Sequence, residues 1–452
     1  MNEAPLSESQ KLAQAAAATT WSELPTAVQD MALDLLVDAL SFIAAGSGHA
    51  DMDRLARVVK AADGPCTALG DRRGVAMREA IMLNAAATTV LQRQDGYSHA
   101  KGHPSAQLTP LLLAIAERDQ LPAHRMLSAF VAGYEIAGRV GIAMNGVPHW
   151  LHDLGNWANI GLAAAAAHLL TDGDAVAIER AMQSASALGL AFDRYTTAGG
   201  ATSHHLYPAM TVTQALTAAE GAAAGMTTLP DSLTRFFGPR FGADFARDKL
   251  TQGIGADGRW SDYEILNGYF KLHPSCAHLQ GVNDAVDLLI KEEGITEAEV
   301  DTIDIAVFAD AMAIDTATPQ NDLAARFSAR ATVAAAIRYG KLDDPGLNDL
   351  AALAPLMARM TVRHDTALDV YTPEGRPGVV KLRKRDGTLL TREVIYPRGT
   401  PKTPATPAEY QAKARGLLAR HYGAERVGPI ITAARGLGLG KPVEELSRAL
   451  RG

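Results

Sequence analysis

The sequence is short of residues that several common chemistries require. Its 452 residues include only two cysteines, Cys66 and Cys276, too few for a disulfide framework or for the three or four thiolates of an iron–sulfur cluster. Lys and Arg never gather into a dense block and the formal net charge is −7. That argues against nucleic acid or an anionic membrane surface as the main partner. Apolar runs such as Leu162–Leu170 fall well short of the roughly 20 residues that cross a bilayer. Met1–Gln10 is polar and acidic, without the basic start or apolar centre of a secretory signal, so a cytoplasmic location is expected. No Gly-x-Ser-x-Gly elbow is present, and Gly199-Gly200 lacks the strand-then-helix context of a phosphate loop. A globular protein acting on a small molecule is the class left standing.

What is present is ample apolar material. Hydrophobic residues make up 47% of the chain, and its length exceeds what one core usually organises, so two domains are expected. From Ser7 to about Leu250 apolar residues recur three and four apart, the helical period. Ala32, Leu35, Leu36, Ala39, Leu40 and Ile43 form one such stripe, stopped by Gly46-Ser47-Gly48. No strand-like alternation is evident in this half. After about Asn267 the pattern changes: Val300–Phe308 alternates as a strand, and Asp386-Gly387 marks a hairpin turn. The expected fold is mainly α, a large all-α helical domain (1–266 plus 400–452) with an inserted smaller α+β lid domain (267–399).

Four segments gather polar groups at Gly- or Pro-broken positions: Arg93–Ser105, His149–Asn156, Thr196–Tyr207 and Lys271–His278. The first holds an arginine, an aspartate, a lysine and two histidines between two apolar helices, a set suited to proton transfer on an anionic substrate. His99 and His103 are four apart, but Gly102 and Pro104 disfavour a helical zinc face, and no metal is expected.

Several motifs occur in a telling order: Asn84-Ala85-Ala86-Ala87, Gly102-His103-Pro104-Ser105, Leu111–Glu117, Ala132–Arg139, then His152 followed by Gly161–Ala166. Lys271-Leu272-His273-Pro274-Ser275-Cys276 and Ala325-Arg326-Phe327-Ser328 complete the series. Together they resemble the MmgE/PrpD family, which includes 2-methylcitrate dehydratase, cis-aconitate decarboxylase and iminodisuccinate epimerase. The resemblance implies a helical domain with a smaller α+β lid, a homodimer, a small carboxylate substrate and no cofactor. It places the family's loop histidine at His103, its second active-site histidine at His152 and its lid lysine at Lys271. Three positions depart: the acidic Asp-x-Asp-Asp-Thr run reads Arg93-Gln94-Asp95-Gly96-Tyr97, His204 stands where a lysine is usual, and Ala331 where a tyrosine often follows.

The family's chemistry begins with removal of a weakly acidic proton beside a carboxylate or imine, which requires a base and cations for the developing charge. An imidazole ordinarily titrates near neutrality, so His103 and His152 are the candidate base and acid. Asp95 would orient a histidine or act as base itself, and Lys271 would bind a carboxylate. Arg93, His204, His99 and His278 are the candidate substrate-binding groups. The expected activity is a cofactor-independent lyase of the dehydratase type on a di- or tricarboxylate. Epimerisation, decarboxylation and a catalytically inactive binding homologue stand as alternatives.

Overall fold

Helix starts are written into the local sequence. Ser7 and Gln10 form a reciprocal capping box at the head of Glu8–Ala17, and Thr406 with Glu409 does the same for Pro407–Tyr422, each pair satisfying amides that the first turn leaves unpaired. The computed structural model describes residues 5–97, 99–152, 154 and 156–452. Long helices dominate, including Thr26–Ser47, Pro104–Asp119, Ala123–Met144, Ala158–Leu170 and Leu206–Ala223, and the fold is mainly α.

Small residues let these helices approach closely. A Cβ at Gly133 would come within 2.6 Å of Ala165 Cβ, and one at Gly161 would collide with the Gly133 carbonyl, so Ala123–Met144 and Ala158–Leu170 meet nearly backbone to backbone. Among the described residues only Ala123–Met144 is long and apolar enough to cross a membrane, and 94% of its most apolar window is buried in the protein. It is the central helix of the core.

The first half is not purely helical. Asp63–Ala68 (β1) and Arg73–Val75 (β2) form an antiparallel hairpin with an irregularity between Asp63 and Cys66. Six and three residues, broken by Gly64-Pro65 and that bulge, are too short to show the two-residue period. Val75 ends β2, and the helix after it starts at Met77. Ala424–Gly436 is a further helix that the periodicity did not announce, with Pro429 inside it.

Two main cores result. One draws on residues from Leu12 to Phe270 and again from Ala414 to Leu450; the other runs from Leu279 to Leu382. The second packs Gln280–Glu293 and Ala329–Tyr339 with a four-stranded sheet. Gly96–Tyr97 (β3) and Gly268–Tyr269 (β4) precede that sheet in the chain and pair with each other. Its strands are Val300–Val307 (β5), Met360–His364 (β6), Gly378–Lys384 (β7) and Leu389–Val394 (β8), in the order β6-β5-β7-β8. β5 and β6 are parallel, and β7 turns through Asp386-Gly387 into β8, with Gly387 at a φ of 92° that glycine adopts without strain. The β3–β4 pair stitches the Arg93–Ser105 loop to the segment that leads into the second core.

Candidate active site

The loop is organised by Asp95. Its buried carboxylate accepts hydrogen bonds from the backbone amides of Ser105 (3.1 Å) and Ala106 (3.0 Å), capping the helix that Pro104 opens. Burial pushes the carboxyl up to about 6 despite those amide bonds. The Asp95 backbone carbonyl meets His103 Nδ1. A carbonyl only accepts, so Nδ1 carries the proton and the neutral ring holds its lone pair at Nε2. Trp157 closes the loop from behind: its indole donates to the Lys101 carbonyl at 2.7 Å and fills the space that a Cβ on Gly102 would occupy.

A short ladder brings in the next segment. Leu151 and Asp193 form an antiparallel bridge, flanked by His152 N–H to the Phe192 carbonyl (2.8 Å) and Arg194 N–H to the Trp150 carbonyl (3.1 Å). His152 and Arg194 are thereby set side by side. His152 Nδ1 accepts from the Leu154 amide at 2.9 Å, so its proton sits at Nε2, the opposite tautomer to His103. His204, buried, has Nδ1 2.8 Å from Thr197 Oγ1, and its ring lies 5.2 Å from that of His152.

The remaining wall comes from the Lys271–His278 segment and beyond. Lys271 is 1% exposed and its Nζ has no hydrogen-bond partner among the described residues; burial pushes the amine down to about 7. His278 packs edge-on against Phe308. His103, His152, His204, Lys271 and His278 line one cavity, together with Gln94, Lys101, Arg194, Tyr269, Cys276 and Arg376. Ile314 and Phe327 supply its apolar end. Among the described residues no carboxylate lines it, while Lys101, Arg194, Lys271 and Arg376 do. Lys101 is matched outside the lining by Asp310 at 2.6 Å. The lining suits an anionic ligand.

Of the residues expected from sequence, His103, His152, His204, Lys271 and His278 share this cavity. Three others do not line it. Arg93 turns away: its guanidinium pairs with Asp344 at 3.3 Å and donates to the Leu272 carbonyl at 2.7 Å, because a buried cation is stable only where an anion meets it. Asp95 has both carboxylate oxygens engaged by the amides that open the following helix. His99 lies beside Glu264, 3.6 Å away, and that carboxylate raises the histidine's pKa. Within the fourth segment His273 also leaves the site for Asp284 at 2.8 Å. Ser98, Asp153 and Gly155 of the first two segments lie outside the described residues. Arg194 and Arg376 escaped sequence reading because each stands alone between unremarkable neighbours and reaches the cavity only through tertiary contacts. No three His, Cys, Asp or Glu side chains among the described residues are clustered to hold a metal ion.

Residues 10–239 match the MmgE/PrpD N-terminal domain and residues 273–437 the MmgE/PrpD C-terminal domain. No curated protein matches the chain. The two matches span most of the sequence and meet across the cavity, and membership points to an enzyme of the dehydratase or lyase kind. The chain belongs to the MmgE/PrpD family.

Proposed function

We propose that the cavity binds a small di- or tricarboxylate, removes the proton beside one carboxylate and expels water from the neighbouring carbon. The observation that carries this reading is the pair of opposite tautomers facing one cavity that is rich in cations. His103, with its lone pair at Nε2, takes the proton. His152 accepts the Leu154 amide at Nδ1, which leaves its proton at Nε2, so it donates a hydrogen bond to the enolate-like oxygen rather than giving up a proton, which would leave an imidazolate. Lys271, as a cation, holds the carboxylate whose charge grows. The proton on His103 then leaves with the hydroxyl as water, the carbon–carbon double bond forms, and the ring returns to its starting state. Proton and hydroxyl accordingly depart from the same face.

Replacing His103 or His152 by Ala is expected to lower turnover at least ~100-fold, the scale for a general base or an oxyanion donor. α-Carbon exchange with deuterated solvent is expected to fall with it across a panel of 2-hydroxy di- and tricarboxylates. Near-normal exchange in both variants overturns the roles. No exchange by the wild-type protein on any acid favours a binding homologue.

A two-base epimerisation is the second reading. The observation favouring it is the Lys271 amine, which burial brings down to about 7, within reach of a neutral base. Lys271→Arg separates the two, since a guanidinium still binds a carboxylate but cannot accept a proton. Elimination survives that change; epimerisation does not.

A further inference from the structure

Arg194 stands next to His152 on the Leu151–Asp193 ladder and is fixed at one end only. Its Nε donates to the Leu151 carbonyl at 3.1 Å, while its Nη2 is buried with no hydrogen-bond partner among the described residues and the side chain lines the cavity. The carbonyl contact fixes the plane of the guanidinium. Planar charged donors held this way match a carboxylate better than a mobile ammonium does. Lys271 reaches the same cavity from the segment that follows β4, also with its buried donor unspent. Two cations from separate parts of the chain, each with a buried donor left over, call for two separate anionic groups, because a buried donor is costly unless something accepts from it.

We infer that Arg194 is a specificity-determining residue: it binds a substrate carboxylate distinct from the one held at Lys271, on the side of the cavity occupied by His152. This rests on the carboxylate-binding reading above. The consequence is selectivity by charge placement, in which an acid whose carboxylates span the Lys271 and Arg194 sides is held more tightly than a monocarboxylate of the same size. Gln94, 1% exposed with its Oε1 also buried and unpaired among the described residues, adds an acceptor to the same cavity, suited to a substrate hydroxyl.

The test is calorimetric binding of unreactive acids to the full chain: propane-1,2,3-tricarboxylate, glutarate and butyrate, with wild type, Arg194→Gln and Arg194→Lys. The expected result is that Arg194→Gln weakens the polycarboxylates roughly 10- to 100-fold, the scale of a charge-assisted hydrogen bond. Butyrate should be unchanged, and Arg194→Lys should recover part of the loss. Unchanged butyrate binding and an unchanged thermal midpoint show that Arg194→Gln keeps its site. Where that variant unfolds, Arg194→Lys carries the comparison. Polycarboxylate affinity within about twofold of wild type in both variants overturns the role of Arg194 and leaves the proposed function standing. A wild-type protein that binds none of the three acids overturns both.

Discussion

Two groups of cations lie on opposite sides of the Arg93–Ser105 loop, and they are treated in opposite ways. Behind the loop, Asp344 receives Arg93 (3.3 Å), Arg326 (2.7 Å) and Arg420 (3.1 Å), and these cations hold its carboxyl below the usual range in spite of burial. Lys413 pairs with Asp38 at 2.8 Å and donates to the Arg93 carbonyl at 2.8 Å. In front of the loop, Lys271 Nζ and Arg194 Nη2 are buried without acceptors among the described residues. The difference teaches which charges are scaffold and which are site: an ion whose partner is part of the chain holds the fold, and one whose partner is missing waits for a ligand.

The sharpest way to break this comparison is to remove the anion on one side and the cation on the other. Asp344→Ala leaves three arginines without their shared partner and is expected to destabilise by about 3–5 kcal/mol, read as an earlier urea midpoint. Lys271→Met deletes a cation that the fold does not match, so stability should hold or rise while carboxylate binding is lost. Burial lowers the folded-state pKa of Lys271, so the unfolded chain holds its proton to higher pH. Wild type should therefore gain stability relative to Lys271→Met as pH rises from about 7 towards about 10.4. Equal midpoints for both variants and wild type at every pH would erase the distinction.

The same lysine sharpens the comparison through activity. With its amine near 7 in the unliganded site, kcat/KM for a polycarboxylate should fall as pH rises past about 7, up to ~10-fold per pH unit as the cation is lost. Lys271→Arg should move that limb to higher pH. A limb unmoved by the substitution would assign it to another group. The smallest effect is expected at Asp95, whose side chain serves the helix cap. Asp95→Asn should keep α-proton exchange within ~10-fold of wild type, because the backbone carbonyl that orients His103 remains; a ~100-fold loss would restore Asp95 as a base. The raised carboxyl, about 6, also sets a sign. The fold favours its protonated form, so wild type should lose stability relative to Asp95→Asn as pH rises from about 4 to about 6.

Much of the helical scaffold was legible because a 3.6-residue period repeats over many residues: the stripe from Ala32 to Ile43 marked a helix observed at Thr26–Ser47. The β1–β2 hairpin was not, since nine residues spread over two strands carry too few repeats. His103, His152 and Lys271 were singled out through ordered motifs, and their neighbourhood could be listed but not oriented. The departures from the family's acidic run became intelligible only in three dimensions. Arg93 meets Asp344, 251 positions away, and Gly96 is where the Tyr269 ring presses so closely that a Cβ would overlap it.

By itself, then, the sequence determined the mainly α scaffold, the family and a short set of ionisable candidates, because periodicity and motif order are local or sequential properties. Which of those candidates share a cavity was decided by the tertiary structure alone. Whether a charged side chain serves the fold or a ligand depends on the partner it meets when buried, and for Arg93, Asp95, Arg194 and Lys271 that partner, or its absence, is set by contacts the order of residues does not display.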